Sequence, residues 1–162
     1  MKTKALFFIW VICLGASVWL LFGGGQRDGW TTKPIYDESS DGLKQITDAL
    51  VVAKKENKRV LLQFGANWCI WCHRLHRFFE TDKAVSRKLR SGFVVVLVDV
   101  NNGHNASISS RYGELAQSGI PAIAVLDSDG KLIGSASSPD FVENGNYNSK
   151  KIVTFLNSSI PK

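Results

Sequence analysis

Cys69 and Cys72 lie two residues apart in the run Trp68-Cys69-Ile70-Trp71-Cys72-His73, and His76 follows within the next helical turn. Two thiols at that spacing admit three chemistries. As a dithiol, the pair can exchange disulfides: Cys69 attacks or is attacked, and Cys72, one helical turn on, attacks the mixed disulfide and releases the product. As metal ligands, Cys69, Cys72, His73 and His76 are four soft or borderline donors. On a helix Cys69 shares a face with His73, and Cys72 with His76. Structural zinc sites, however, draw their ligands from two separate segments. As C-x-x-C-H, the run also matches the haem-attachment pattern. A distal haem ligand would then have to be His76 or His104, because the only Met is Met1.

The elements around the pair favour the first reading. Val60 to Phe64 is an apolar run of strand length, broken by Gly65-Ala66-Asn67. From Cys72 onward Leu75, Phe78 and Phe79 recur at helical spacing, which predicts a helix from about Cys69 to Glu80. The thiols therefore sit where a strand ends and a helix begins. The partial positive charge and free N–H groups of a helix N-terminus stabilise a thiolate, so Cys69 is the expected nucleophile. Upstream, Ser40 or Asp41 can cap a helix that carries Leu43, Ile46, Leu50 and Ala53 on one face. Downstream, Thr81 or Asp82 caps a second helix that stops at Gly92. Phe93 to Val100 is almost continuously apolar, the mark of a central strand buried on both faces. Asn101 to Asn105 is a polar turn, and Ile108 to Ala116 a short helix. Pro121 belongs at the start of a strand, where its missing N–H does least harm. Ala122–Asp127 and Lys131–Ser135 read as a hairpin, Ser137–Asn148 as a loop, and Lys150–Ser158 as a closing helix. After the N-terminal helix the expected core order is β, α, β, α, β, β, α.

The chain has 162 residues, 44% of them hydrophobic, which is room for one ordinary domain plus an extension. It has three cysteines, too few for a disulfide framework, and one of them, Cys13, lies in the N-terminal segment. The net charge is +6, two of it from Lys2 and Lys4. The other basic residues are spread over expected helix faces, and no nucleic-acid motif accompanies them. Ala5 to Phe22 is an uncharged apolar run just long enough to span a bilayer as a helix. No clear small-x-small cleavage site follows, so an uncleaved anchor is favoured over a cleaved signal peptide. Either way the lysines stay in the cytoplasm and the domain is exported. The expected organisation is an anchor or signal segment over 1–25, a linker over 26–40 and a domain over 41–162. Trp30, Ile35 and Tyr36 hint that the latter part of the linker packs on the domain.

Two segments carry a resemblance. Trp68-Cys69-Ile70-Trp71-Cys72 after an apolar strand resembles the active site of the thioredoxin superfamily. Gly119-Ile120-Pro121-Ala122-Ile123-Ala124-Val125-Leu126-Asp127 resembles that family's cis-proline segment and the strand after it. Gly65-Ala66-Asn67-Trp68 and His73-Arg74-Leu75 are more similar to the exported or anchored thioredoxin-like branch than to cytosolic thioredoxin. The resemblance covers roughly Ser39 to Ile160. It implies an α/β thioredoxin-like fold, a central mixed β-sheet flanked by helices. It implies a thiol–disulfide oxidoreductase of exported proteins, held at a bacterial cytoplasmic membrane with the domain in the periplasm or extracytoplasmic space. If the N-terminal segment is cleaved, the domain is instead soluble in the periplasm or secreted. Cys69 and Cys72 would be catalytic and form the redox-active disulfide, with no metal and no other cofactor. Trp68, Trp71, Ile120 and a cis Pro121 would shape the site and meet the substrate, and His73 would tune the thiolates. The implied partners are protein thiols and disulfides, with a membrane or thioredoxin-type redox partner. The alternatives are a non-catalytic binding module of the same fold, its cysteines in a static disulfide, or a metal- or haem-binding C-x-x-C-H protein. Two positions depart from the family. Thioredoxins place a buried Asp six residues before the first cysteine, where this chain has Gln63. The lysine expected on the second strand is replaced by Leu97. Gln63 cannot take a proton, so another group or water must serve the second cysteine.

Overall fold

A computed structural model describes residues 33–159 of the protein. The anchor or signal segment over 1–25, with Cys13, and the linker up to residue 32 lie outside the described residues. Among the described residues no helix is long and apolar enough to cross a membrane.

Asp41 opens the first helix, α1 (Gly42–Glu56), by accepting from the N–H groups of Leu43 and Lys44. Asn57, in the left-handed conformation, ends it and turns the chain into β1 (Arg59–Gly65). Helix α2 (Ile70–Thr81) and helix α3 (Lys83–Gly92) follow, separated by Asp82. Asp82 accepts from the N–H groups of Ala84 and Val85 and so restarts the helix at a new angle. Strand β2 (Phe93–Asp99) leads to a short helix α4 (Ala106–Arg111), then to β3 (Ala122–Leu126) and β4 (Leu132–Ser137). Between β3 and β4 the Asp127 carboxylate accepts from the N–H groups of Asp129 and Lys131, and Gly130 takes φ 84°.

The sheet order is β2-β1-β3-β4, with β1 parallel to β2 and antiparallel to β3, and β3 antiparallel to β4. The alternation along β1 divides the core. Val60, Leu62 and Phe64 join Ile46, Ala49 and Ala53 of α1 on one face. Leu61 joins Leu75 and Phe79 of α2 and Val85 and Leu89 of α3 on the other. Closing that second face is α6 (Ser149–Ser158), through Ile152 and Leu156. Each buried aliphatic of this kind contributes on the order of 1.5–3 kcal/mol relative to exposure, so the sheet is held from both sides.

Four expectations are corrected. Among the described residues Phe93–Val100 lies at the edge of the sheet, not at its centre: there β2 pairs only with β1, and Val95 is exposed. Its apolar run arises because both faces are partly packed, while its outer edge carries no partner strand among the described residues. The central position falls to β1, buried at every residue after Arg59. Leu43 is exposed, and Ala49 instead joins Ile46 and Ala53 in the buried stripe of α1. The helix expected over Ile108–Ala116 stops at Arg111, because Gly113 (φ 90°) and Glu114 (φ 55°) turn the chain before a 3-10 turn at Leu115–Ser118. Ser137–Asn148 is not a loop. It holds a one-turn helix α5 (Ser138–Phe141) and a small hairpin of β5 (Val142–Glu143) and β6 (Asn146–Tyr147). The Asp140 carboxylate accepts from both the N–H and the hydroxyl of Ser137, which starts α5. Asn144 and Gly145, both at positive φ, close the hairpin.

Candidate active site

The end of β1 and the start of α2 place the two cysteines as their sequence position implies. The Cys69 N–H donates to the Ala66 carbonyl, which folds Ala66–Cys69 into a turn. Cys69 is the N-cap of α2, and its Sγ accepts from the Cys72 N–H at 3.2 Å. The N-terminus of α2 thus directs the Cys72 N–H at this sulfur, an arrangement that stabilises a thiolate there. The two cysteines form a disulfide with Cα atoms 5.3 Å apart. Cys69 keeps 6% of its surface exposed, whereas Cys72 has none. An incoming sulfur therefore meets Cys69 first.

Across from Cys69 the Ile120–Pro121 peptide bond is cis and Pro121 is buried. The Ile120 carbonyl oxygen lies 3.7 Å from Cys69 Sγ. Beside them a cavity of about 450 Å³ is lined by Trp71, Gly119, Ile120, Pro121, Pro139 and Val142, among others. The α5 helix and the β5–β6 hairpin form its far wall. That wall also holds Trp71. The Tyr147 hydroxyl donates to the Trp71 carbonyl, the two rings meet edge to face, and the Arg74 guanidinium sits 4.2 Å from the Trp71 ring. Trp71 is accordingly half-buried rather than freely exposed. Trp68 is 71% exposed, with its indole N–H donating to Asn101 Oδ1. One His73 ring nitrogen, Nε2, lies 2.8 Å from the Asn67 carbonyl oxygen. His76 pairs with Glu80 and His104 with the buried Asp99. Among the described residues no three His, Cys, Asp or Glu side chains gather as a metal-binding group.

Three residues at the site escaped the sequence reading as site residues. Asn67 is a clip: its Oδ1 accepts from the Ile35 and Tyr36 N–H groups, and its Nδ2 donates to the Tyr36 carbonyl and to Glu38. The clip draws the segment before α1 across the loop that carries the cysteines. Tyr36 is thereby pressed into a small cluster with Cys69 and Cys72. Its hydroxyl accepts from Gln63 Nε2 at 2.6 Å, and the same nitrogen donates to the Cys72 carbonyl at 3.2 Å. Burial pushes the Tyr36 phenol well above its ordinary value; the Gln63 bond opposes this, and the charge of Asp99 adds to it. Gly65 is the third. A Cβ there would collide with the Tyr36 ring and hydroxyl and sit 2.8 Å from Cys72 Sγ. Gly65 and Asn67 offered a signal as the break between a strand and a helix N-terminus, and Tyr36 as an aromatic at the end of the linker.

A mixed α/β sheet with a Cys-x-x-Cys disulfide at the mouth of a helix, opposed by a cis-proline, defines the class of protein. Comparison with known proteins agrees. A family model described as thioredoxin-like matches residues 41–128. The structure of a disulphide isomerase from Xylella fastidiosa Temecula1 is 33% identical, with a TM-score of 0.66 over 76% of this chain and 94% of that one. The thiol:disulfide interchange protein DsbD of Actinobacillus pleuropneumoniae is 28% identical over 123 residues, 75% of this chain but 20% of that protein. The chain thus spans about a fifth of the length of that curated relative. The C-terminal domain of Neisseria meningitidis DsbD in its oxidised form shares the fold, at 21% identity and a TM-score of 0.53 over 74% of this chain and 97% of that one. The chain belongs to the thioredoxin-like family.

Proposed function

We propose that this protein is a thiol–disulfide oxidoreductase that acts on the disulfides and dithiols of proteins outside the cytoplasm. The observation that carries the reading is the asymmetry of the cysteines: Cys69 caps a helix and borders the surface, while Cys72 is buried behind it. In the reducing direction the Cys69 thiolate attacks a substrate disulfide. A Cys69–substrate bond forms and the first substrate sulfur leaves as a thiolate, taking a proton from water. Cys72 then loses its proton to water and attacks Cys69 Sγ. The Cys69–Cys72 bond forms, the second substrate sulfur leaves, and the protein has given up two electrons. The oxidising direction is the same sequence reversed. Trp68, Trp71, Ile120 and Pro121 form the docking rim, and His73, through the Asn67 carbonyl, steadies the loop before Cys69.

The names of the relatives, a disulphide isomerase and thiol:disulfide interchange proteins, support protein substrates. Residues 1–25 serve as the membrane anchor, 26–40 as the linker and 41–162 as the domain, with a redox partner at the membrane supplying or removing electrons. The apolar run Ala5–Phe22 behind Lys2 and Lys4 supports that placement. The test is the reduction potential of the Cys69–Cys72 pair, read by counting alkylated thiols in thiol–disulfide buffers. A value near about −270 mV marks a reductase, and one near about −120 mV an oxidant. Full exchange activity in Cys69→Ser, or the lack of any two-electron transition, refutes the reading. Retention of the protein in membranes after alkaline washing tests the anchor.

A further inference from the structure

The thioredoxin-like site described above lacks the buried carboxylate that would face its second cysteine, and Gln63 stands in its place on β1. Gln63 is fully buried, and its Oε1 has no hydrogen-bond partner. Its Nε2 is fully used. One of the two amide hydrogens goes to the Cys72 carbonyl and the other to the Tyr36 oxygen. Because Tyr36 accepts there, its own hydroxyl hydrogen must point elsewhere. Among the described residues that hydroxyl donates no hydrogen bond, neither to a sulfur nor to the unpartnered oxygens Gln63 Oε1 and Asp99 Oδ1. The neighbour across the space kept open by Gly65 is Cys72 Sγ, since one Cβ placed on Gly65 would press on both. In the disulfide that sulfur is a poor acceptor; as a thiolate it is a strong one. A buried donor and a buried acceptor without partners are costly in a resting state and call for an explanation.

We infer that Tyr36, oriented by Gln63, donates its hydroxyl hydrogen bond to the Cys72 thiolate, and so does by hydrogen bonding what a buried carboxylate does by taking the proton. This rests on the exchange reading above and deepens it. The step concerned is the release of the mixed disulfide: Cys72 gives its proton to water, its thiolate attacks Cys69 Sγ, the new S–S bond forms and the substrate thiolate leaves. Tyr36 neither gains nor loses a proton in that step. Its ordinary pKa of 10.0 already leaves it protonated at neutral pH and burial raises it further, so it acts as a donor throughout. The other polar and charged groups around Cys72 are few. Cys69 is its disulfide partner. Asp99, at the end of β2, reaches Tyr36 only through its field, as does Tyr147 from β6; the Asp99 Oδ2 is engaged with His104 and the Asn101 N–H, while its buried Oδ1 makes no hydrogen bond. His73 on α2 contacts the Asn67 carbonyl. Leu97, Trp71, Ile35 and Ile120 complete the wall without charge.

The experiment titrates Cys72 alone, in the full-length protein carrying Cys13→Ser and Cys69→Ser in detergent, by thiolate ultraviolet absorbance against pH. Removing the Tyr36 hydroxyl with Tyr36→Phe takes away a hydrogen bond to a charged group, which should raise the Cys72 pKa by about 1 to 2 units. Gln63→Leu leaves the hydroxyl unaimed and should shift it in the same direction. A Cys72 pKa that does not rise in Tyr36→Phe overturns the inference. If Tyr36→Phe loses cooperative unfolding, Gln63→Leu decides by the same criterion. Wild-type exchange activity on a protein disulfide is measured alongside. Its absence would remove the exchange reading while the titration still reports on Tyr36, so the two failures are separable.

Discussion

Asn67→Ala should release the segment that covers the cysteines, and the size of the effect follows from its bonds. Asn67 makes three part-buried hydrogen bonds at 3.0 Å to the main chain of Ile35 and Tyr36, and one exposed bond to Glu38. At about 1 kcal/mol for each part-buried bond, with little from the exposed one, Asn67→Ala should cost about 3 kcal/mol of unfolding free energy. Asn67→Asp keeps the acceptor for the two N–H groups but loses the donor to the Tyr36 carbonyl. It also sets a carboxylate beside Glu38, so its cost should be intermediate. The assay is urea denaturation of the three proteins side by side, followed by alkylation of the reduced forms. Because the clip holds Tyr36 against a fully buried Cys72, loosening it should speed alkylation of Cys72 more than that of Cys69. A cost below about 0.5 kcal/mol, the ordinary scatter of surface substitutions, together with unchanged Cys72 alkylation, would refute the idea that Asn67 organises the site.

Gly65→Ala should cost about 1–3 kcal/mol, because the new methyl group meets the Tyr36 ring carbon Cζ at 2.6 Å and Cys72 Sγ at 2.8 Å. It should also displace Tyr36 and raise the Cys72 pKa, and a stable variant with an unmoved Cys72 titration would contradict the packing described. Asp82→Ala removes the cap of α3 and the bond from the Ser149 hydroxyl, with an expected cost of about 1 kcal/mol at neutral pH in urea denaturation. The Val85 N–H, above all, holds the Asp82 carboxyl below its ordinary 3.8, so its folded-state pKa is depressed. Its contribution is therefore fully present above about pH 3.8 and lost as the pH falls through the folded-state value. The gap between wild type and Asp82→Ala should close in that acid range, and a gap independent of pH would show that the charge plays no part.

The chemistry of the pair was legible because it is local. A strand-length apolar run, a three-residue break and a helical period place Cys69 at a helix N-terminus without reference to any distant residue, and the structure keeps that placement. The hairpin after Pro121 was legible for the same reason, since Asp127 and Gly130 carry the turn in their own side chain and backbone freedom. The helix-capping Asp41 and Asp82 likewise announce themselves. The rank of the strands was not legible. Phe93–Asp99 and Arg59–Gly65 are both apolar runs, and only the pairing of β1 with both β2 and β3 makes one central and the other an edge. The α5 helix and its hairpin were missed because Ser137, Pro139, Asp140, Asn144 and Gly145 also fit an irregular loop. Their order comes from capping and from Tyr147 packing against Trp71. Least visible of all was the partner of Cys72. Gln63, nine residues from it, shows in the sequence only as a departure from the family's buried Asp, and Tyr36, farther still, only as an aromatic at the end of the linker. What joins them is long-range geometry: the Asn67 clip, the glycine that makes room and the Gln63 amide that bonds both Tyr36 and the Cys72 carbonyl. The sequence by itself determined a dithiol at the end of a strand, because that needs only neighbours along the chain. Only the tertiary structure decided what surrounds the buried sulfur, because those groups meet only when the segment before α1 folds back over the sheet.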